Sequence, residues 1–233
     1  IGQFVSKKVA DKLRDLKNDN PDHYAEIWDS VAPFVKIGAM EDEKFAEQVS
    51  ELILFQTTAD KNTSTDLLNG NERSYTTISA YRERQANDNQ KRVLYCTDEI
   101  AQAGALSLWK GQGAEVIFAE TVLDSQFIPW LESKETELTF QRVDSELDAS
   151  LQDDQPELSD QEGETKSESL RTLIKKALNN DKVTVQVQAL KGGSEAPAAL
   201  ILLPEQMRRM NDIGALMEQR LPGLPDHHIL LVN

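Results

Sequence analysis

From Phe4 to Leu16 the apolar residues Phe4, Val5, Val9, Leu13 and Leu16 recur at intervals of three and four, with Lys7, Lys8, Lys12 and Asp15 between them. That period predicts an amphipathic helix. Asn18 to Pro21 interrupts the pattern, and a second helix is predicted through Tyr24, Ile27, Trp28 and Val31, ending near Pro33 because the residue before a proline is pushed out of the helical region. Gly38 reads as a turn. A third helix is then expected to carry Phe45, Val49, Leu52, Ile53 and Phe55 on its apolar face, which makes the first third of the chain a helical cluster.

Thr57 to Thr77 is polar, with few apolar positions, and reads as a long loop or insertion before a short helix near Ile78 to Gln85. The pattern then changes to short apolar runs. Val93-Leu94-Tyr95-Cys96 and Val116-Ile117-Phe118 suit buried strands, and a helix from Ile100 to Lys110 lies between them. Strand, helix and strand in that order predict a parallel pair with a right-handed crossover. A further helix is expected over Asp124 to Leu131, and Leu138 to Val143 alternates as another strand.

Asp144 to Ser169 is rich in Asp, Glu, Gln and Ser and holds too few apolar residues to order itself. A domain boundary is expected there, with one domain over residues 1–148 (a helical cluster to 85, a small α/β/α segment from 86), an acidic linker over 149–166, and a second, partial α+β domain over 167–233. In that second domain Leu170 to Leu178 reads as helix, and Val183 to Leu190 as a half-exposed strand. Gly192-Gly193 is expected to turn the chain so that Ala198 to Leu203 pairs antiparallel with it. Pro204 then opens a helix to about Gln219, and a last strand begins at Ile229. The expected fold class is therefore α/β and α+β.

Composition narrows the partners. The formal charge of −15 would repel nucleic acid and an anionic membrane face, so neither is expected as a partner. A single cysteine, Cys96, allows no internal disulfide, and no apolar run reaches the length of a membrane span. A cytoplasmic location is the simplest expectation. The chain opens at Ile1 without an initiator Met and ends on an apolar run, so both ends are read as cut from something larger.

Catalytic chemistry finds little support. Gly111 and Gly113 follow a helix and precede a strand, the reverse of what phosphate cradling needs. Cys96 sits in an apolar run with no basic neighbour to hold a thiolate, and adjacent His227 and His228 point apart in an extended chain. No catalytic, metal or cofactor residue is assigned.

Methionine is more informative. Met207, Met210 and Met217 share one predicted helix and form a stripe with Ile213 and Leu221, while Leu216 falls beside it. Flexible, polarisable side chains suit partners of many shapes, although such a stripe can equally cover its own hairpin. Trp28, Trp109 and Trp130 lie among apolar neighbours, and core packing is the default reading for all three; the alternative, that one faces a cleft, falls to Trp130, close to the domain boundary.

Several stretches carry a resemblance. Val5-Ser6-Lys7-Lys8-Val9, His23-Tyr24-Ala25-Glu26-Ile27-Trp28, Lys36 to Asp42 and Leu54-Phe55-Gln56-Thr57-Thr58 resemble, in order and spacing, the middle domain of the ninety-kilodalton heat-shock chaperones. Arg92 to Thr97, Gly113 to Phe118 and Phe140 to Val143 are similar to the small α/β segment of the family's bacterial branch. Pro204 to Met217 and Asp226 to Leu230 resemble the start of its C-terminal domain. The resemblance implies a cytoplasmic, homodimeric ATPase in full length, using ATP and magnesium, that remodels unfolded or partly folded client proteins. It further implies that the nucleotide-binding domain and its arginine loop lie upstream of Ile1 and the dimer helices beyond Asn233, so that this fragment holds no cofactor and is not itself an enzyme. Client contacts would then map onto Met207, Met210, Leu216 and Met217. A second family contact, a Trp in bacterial members, falls at Gln126, with Trp130 one turn further on. The rival readings are an acidic scaffold that docks a basic partner and a small α/β enzyme.

Overall fold

The computed structural model describes residues 2–59, 73–85, 91–146, 148–153, 165–192, 196–204, 207 and 228–233. The chain divides into two compact units, Ile1–Thr97 with Glu115–Phe140, and Asp98–Ala114 with Gln141–Asn233.

Unit 1 begins with helices α1 (Gly2–Asp19) and α2 (Pro21–Glu41). Asn20 starts α2, its side chain accepting from the His23 amide, and Pro21 follows where its missing donor costs nothing. Tyr24, Trp28, Ala32, Val35, Lys36 and Ala39 recur at three and four and are all buried. That long buried face carries the helix through Pro33, where the sequence predicts a stop. Pro33 and Asp29, whose carbonyl loses its helical donor, are both exposed, so water can satisfy the freed group. Gly38 is likewise helical rather than a turn, and the space its side chain would fill belongs to Phe45, 2.9 Å from an added Cβ.

Asp42 ends α2 and caps α3 (Glu43–Val49), accepting from the amides of Lys44 and Phe45. The expected third helix stops at Val49, gives one 3-10 turn (Ser50–Leu52) and becomes strand β1 (Phe55–Thr57). The reason is visible in burial: Leu52, Ile53, Leu54 and Phe55 are all buried, and four consecutive positions cannot share one face of a helix. Within the expected loop, Ser74–Thr76 forms β2, antiparallel to β1 with Phe55 opposite Thr76, while residues 60–72 lie outside the described residues. Helix α4 (Ile78–Arg84) is capped by Thr77.

The parallel pair is present. Strands β3 (Arg92–Cys96) and β4 (Ile117–Phe118) run parallel with Tyr95 beside Ile117, and the helix between them in sequence, α5 (Ala103–Gly111), belongs to unit 2. Helix α6 (Asp124–Lys134) and strand β5 (Thr139–Arg142), where the chain passes between units, complete a sheet of order β2-β1-β4-β3-β5. Trp28, Tyr24, Tyr81, Phe127 and Phe140 fill the core of unit 1. The buried thiol Cys96 is part of β3.

The buried tyrosines set an alkaline limit. Burial pushes Tyr81 from 10.0 up to about 12, and raises Tyr24 as well; their hydroxyls donate to the Glu115 and Leu52 carbonyls. A raised folded pKa contributes stability that is complete below pH 10 and lost as pH climbs through the folded value near 12. Unfolding followed by circular dichroism at increasing pH is therefore expected to show stability falling across that window. In Tyr81→Phe the fall should be smaller.

In unit 2, α5 contains Gly104, where an added Cβ would stand 2.8 Å from Leu200, and Trp109 donates to the Val143 carbonyl at 3.0 Å. Helix α7 (Lys166–Leu178) is capped by Thr165 and ends on left-handed Asn179. Strands β6 (Val183–Val187), β7 (Ala199–Leu202) and β8 (His228–Val232) form a sheet of order β6-β8-β7. The expected hairpin is thus not made: β8 lies between its two arms, parallel to β6 and antiparallel to β7. The nearly all-apolar β8, with Leu231 fully buried, takes the centre, and β6, alternating with Thr184 and Gln186, takes an edge. The architecture is α/β and α+β.

Candidate functional site

A groove of about 490 Å³ opens in unit 1 between α3, α4 and α6. Its floor is made by Ala46, Ile53, Phe55, Ile78, Trp130 and Leu131. Each comes from a different local rule. The turn after α3 drops Ile53 inward, β1 presents Phe55, Thr77 sets the start of α4 so that Ile78 reaches the floor, and the last turns of α6 supply Trp130 and Leu131.

Trp130 is half-buried, whereas Trp28 and Trp109 are each 2% exposed with their indole nitrogens donating to carbonyls. Its ring stacks on Phe127 at 5.2 Å between centroids, and Phe127 lies 6.4 Å from Phe55. Beneath these rings sits a buried ion pair. Lys36 Nζ lies 2.5 Å from Asp124 Oδ1, 5.0 Å from the centre of the Phe55 ring and 5.5 Å from that of Phe127. Asp124 Oδ2 accepts from the Thr121 amide and hydroxyl. The aromatic wall is thereby fixed from behind by a cation held on two ring faces.

The rim is charged. Glu43, Glu47, Glu51 and Glu135 stand with Arg82 and Lys134 around the opening. Lys134 donates to Glu43 at 2.6 Å, which together with its charge holds the Glu43 carboxyl below its usual range; Glu51 accepts from Ser79. Glu47 and Glu135 are exposed and join no ion pair among the described residues.

Trp130 is therefore placed in a cleft wall, and Gln126 is exposed on the same helix. Met207, in unit 2, is helical and half-buried, while Met210, Leu216 and Met217 lie outside the described residues. Sequence reasoning missed Ile53, Phe55, Ile78 and the carboxylates of Glu47 and Glu135 as parts of one site, because the groove gathers segments far apart in the chain. A second apolar exposure lies in unit 2, where α7 has no buried residue and Leu170, Leu173 and Leu178 are all exposed.

The family model described as Hsp90 protein matches residues 1–211. The chaperone protein HtpG of Porphyromonas gingivalis is 31% identical over 245 aligned positions, which cover all of this chain and 33% of that protein. HtpG of Bacteroides thetaiotaomicron is 26% identical over 238 positions, covering all of this chain and 34% of the relative. The chain thus spans about a third of the length of these curated relatives. Among solved structures, the middle domain of a Plasmodium falciparum protein described as a heat shock protein superimposes with a TM-score of 0.48 at 20% identity, over 62% of this chain and 57% of that one.

Proposed function

The chain belongs to the Hsp90 family, and from that premise we propose that it is the client-holding part of an ATP-driven chaperone, with Trp130 and its groove as one contact surface. The observation that carries this reading is a half-buried tryptophan over an apolar floor, in a chain where the other two tryptophans are sealed inside. Large aromatic side chains left accessible in a cleft are the usual anchors for another polypeptide. The methionine-bearing segment, Met207, Met210, Leu216 and Met217, is the second contact, where pliable thioethers adapt to clients of varied shape. ATP with magnesium, dimerisation and a cytoplasmic setting belong, on this reading, to the whole protein, and this segment turns over no nucleotide alone.

Light scattering from a thermally unfolding reporter enzyme tests the proposal. The chain is expected to delay aggregation, and Trp130→Ser and the Met207→Ser, Met210→Ser, Met217→Ser combination each to weaken the delay. Equal protection by wild type and by both variants removes these two surfaces from client holding. Hydrolysis of ATP by the purified chain would overturn the division of labour.

A further inference from the structure

Taking the Trp130 groove to be a client-contact surface, we propose that it selects polypeptide segments in which a bulky apolar side chain is accompanied by a nearby lysine or arginine. The floor asks for the apolar group. The rim asks for the cation, since four carboxylates face two basic side chains around the opening.

The arrangement of those charges matters more than their number. Glu43, Glu47 and Glu51 follow one another at four-residue steps, so they edge one bank of the groove along α3 and the turn after it, about 6 Å apart. Lys134 is already committed to Glu43, Glu51 has Lys17 beside it and accepts from Ser79, and Arg82 lies 4.0 Å from Glu137. Glu47 on one bank and Glu135 at the end of α6 are the carboxylates that no cation answers among the described residues. A segment whose apolar side chain rests on Trp130 carries its neighbouring positions past both. Basic residues there gain two ion pairs, and acidic ones meet like charge at the same two places.

The rest of the chain is acidic too, so the test must separate the groove from the general field. Fluorescein-labelled peptides of one length would be compared by anisotropy against the full 233-residue chain. They are a leucine- and phenylalanine-bearing peptide with lysines, the same peptide with glutamates for lysines, and a lysine peptide with serines for the apolar residues. The lysine–apolar peptide should bind about tenfold more tightly than its glutamate counterpart, as expected for two exposed ion pairs. The preference should shrink with added salt. It should vanish in Glu47→Lys/Glu135→Lys, whose changes fall at exposed positions and whose fold is checked by circular dichroism. A preference that survives this double change overturns the proposal and assigns the selectivity to the overall charge. Equal binding of lysine–apolar and glutamate–apolar peptides, with Trp130→Ala weakening both, overturns the selectivity and leaves the groove as a contact surface. If Trp130→Ala changes nothing, the groove reading falls as well.

Discussion

Lys36→Met is expected to lower the stability of unit 1 by about 3–5 kcal/mol, because it leaves the carboxylate of Asp124 buried without its cation. The two side chains are only 9% and 4% exposed, so water cannot replace the lost partner. In a urea titration this corresponds to a midpoint lower by roughly 1.5–2.5 M, for a slope of about 2 kcal/mol per molar. The expected loss does not mean that the pair is a large net gain over an apolar alternative, since both charges were taken out of water to form it. Lys36→Met/Asp124→Asn separates the two statements. Asparagine can still accept from Thr121 through its side-chain oxygen, no buried charge remains, and most of the lost stability should return. A double variant no more stable than Lys36→Met alone would show that the lysine acts through packing on Phe55 and Phe127 instead. Acrylamide quenching gives an independent readout: Trp130 leans on Phe127, so its accessibility should rise in Lys36→Met.

Trp28→Ala is expected to cost about 3–5 kcal/mol from the cavity alone. Trp28 is 2% exposed, lies 5.6 Å from the Tyr24 ring, and donates through Nε1 to the Leu54 carbonyl at 2.9 Å. That bond ties α2 to the segment just before β1, so truncation also strands a buried acceptor, adding about 1–3 kcal/mol. The sum approaches the whole stability of an ordinary domain, and the variant should be largely unfolded by circular dichroism at room temperature. Trp28→Phe keeps most of the volume and forfeits the hydrogen bond, and should fold with a loss of about 1–3 kcal/mol. A well-folded Trp28→Ala would mean that the surrounding helices collapse into the space the indole leaves. The same segment leads to Phe55 on the groove floor, so Trp28→Phe also reports whether slackening that tie changes peptide binding.

Apolar periodicity alone reached a good part of this fold. The helices around Leu13, Trp28 and Ile78, the strands at Val93 to Cys96 and Val116 to Phe118, and their parallel pairing follow from spacing and run length, because each pattern is local and each strand is buried on both faces. For Trp130 the sequence offered core packing as the default and a cleft as the alternative, and only the closed chain places it in the groove lining. Local signals misled at Pro33 and Gly38, where a long buried face outweighed a missing donor and a flexible residue. They misled again between Val183 and Leu203, where neighbours in sequence are not neighbours in the sheet.

What the sequence determined by itself is therefore the kind of element at most positions, the acidic balance, and the family to which the ordered matches point. The tertiary structure decided which elements meet: that Leu52 to Phe55 leave the helix, that β8 separates β6 from β7, and that Lys36 lies against the Phe55 and Phe127 rings. Periodicity records which face of an element is buried, while the partner on that face depends on burial summed over segments far apart in the chain. The groove belongs to that second kind of information, since Ile53, Ile78 and Trp130 share it only after the chain has closed.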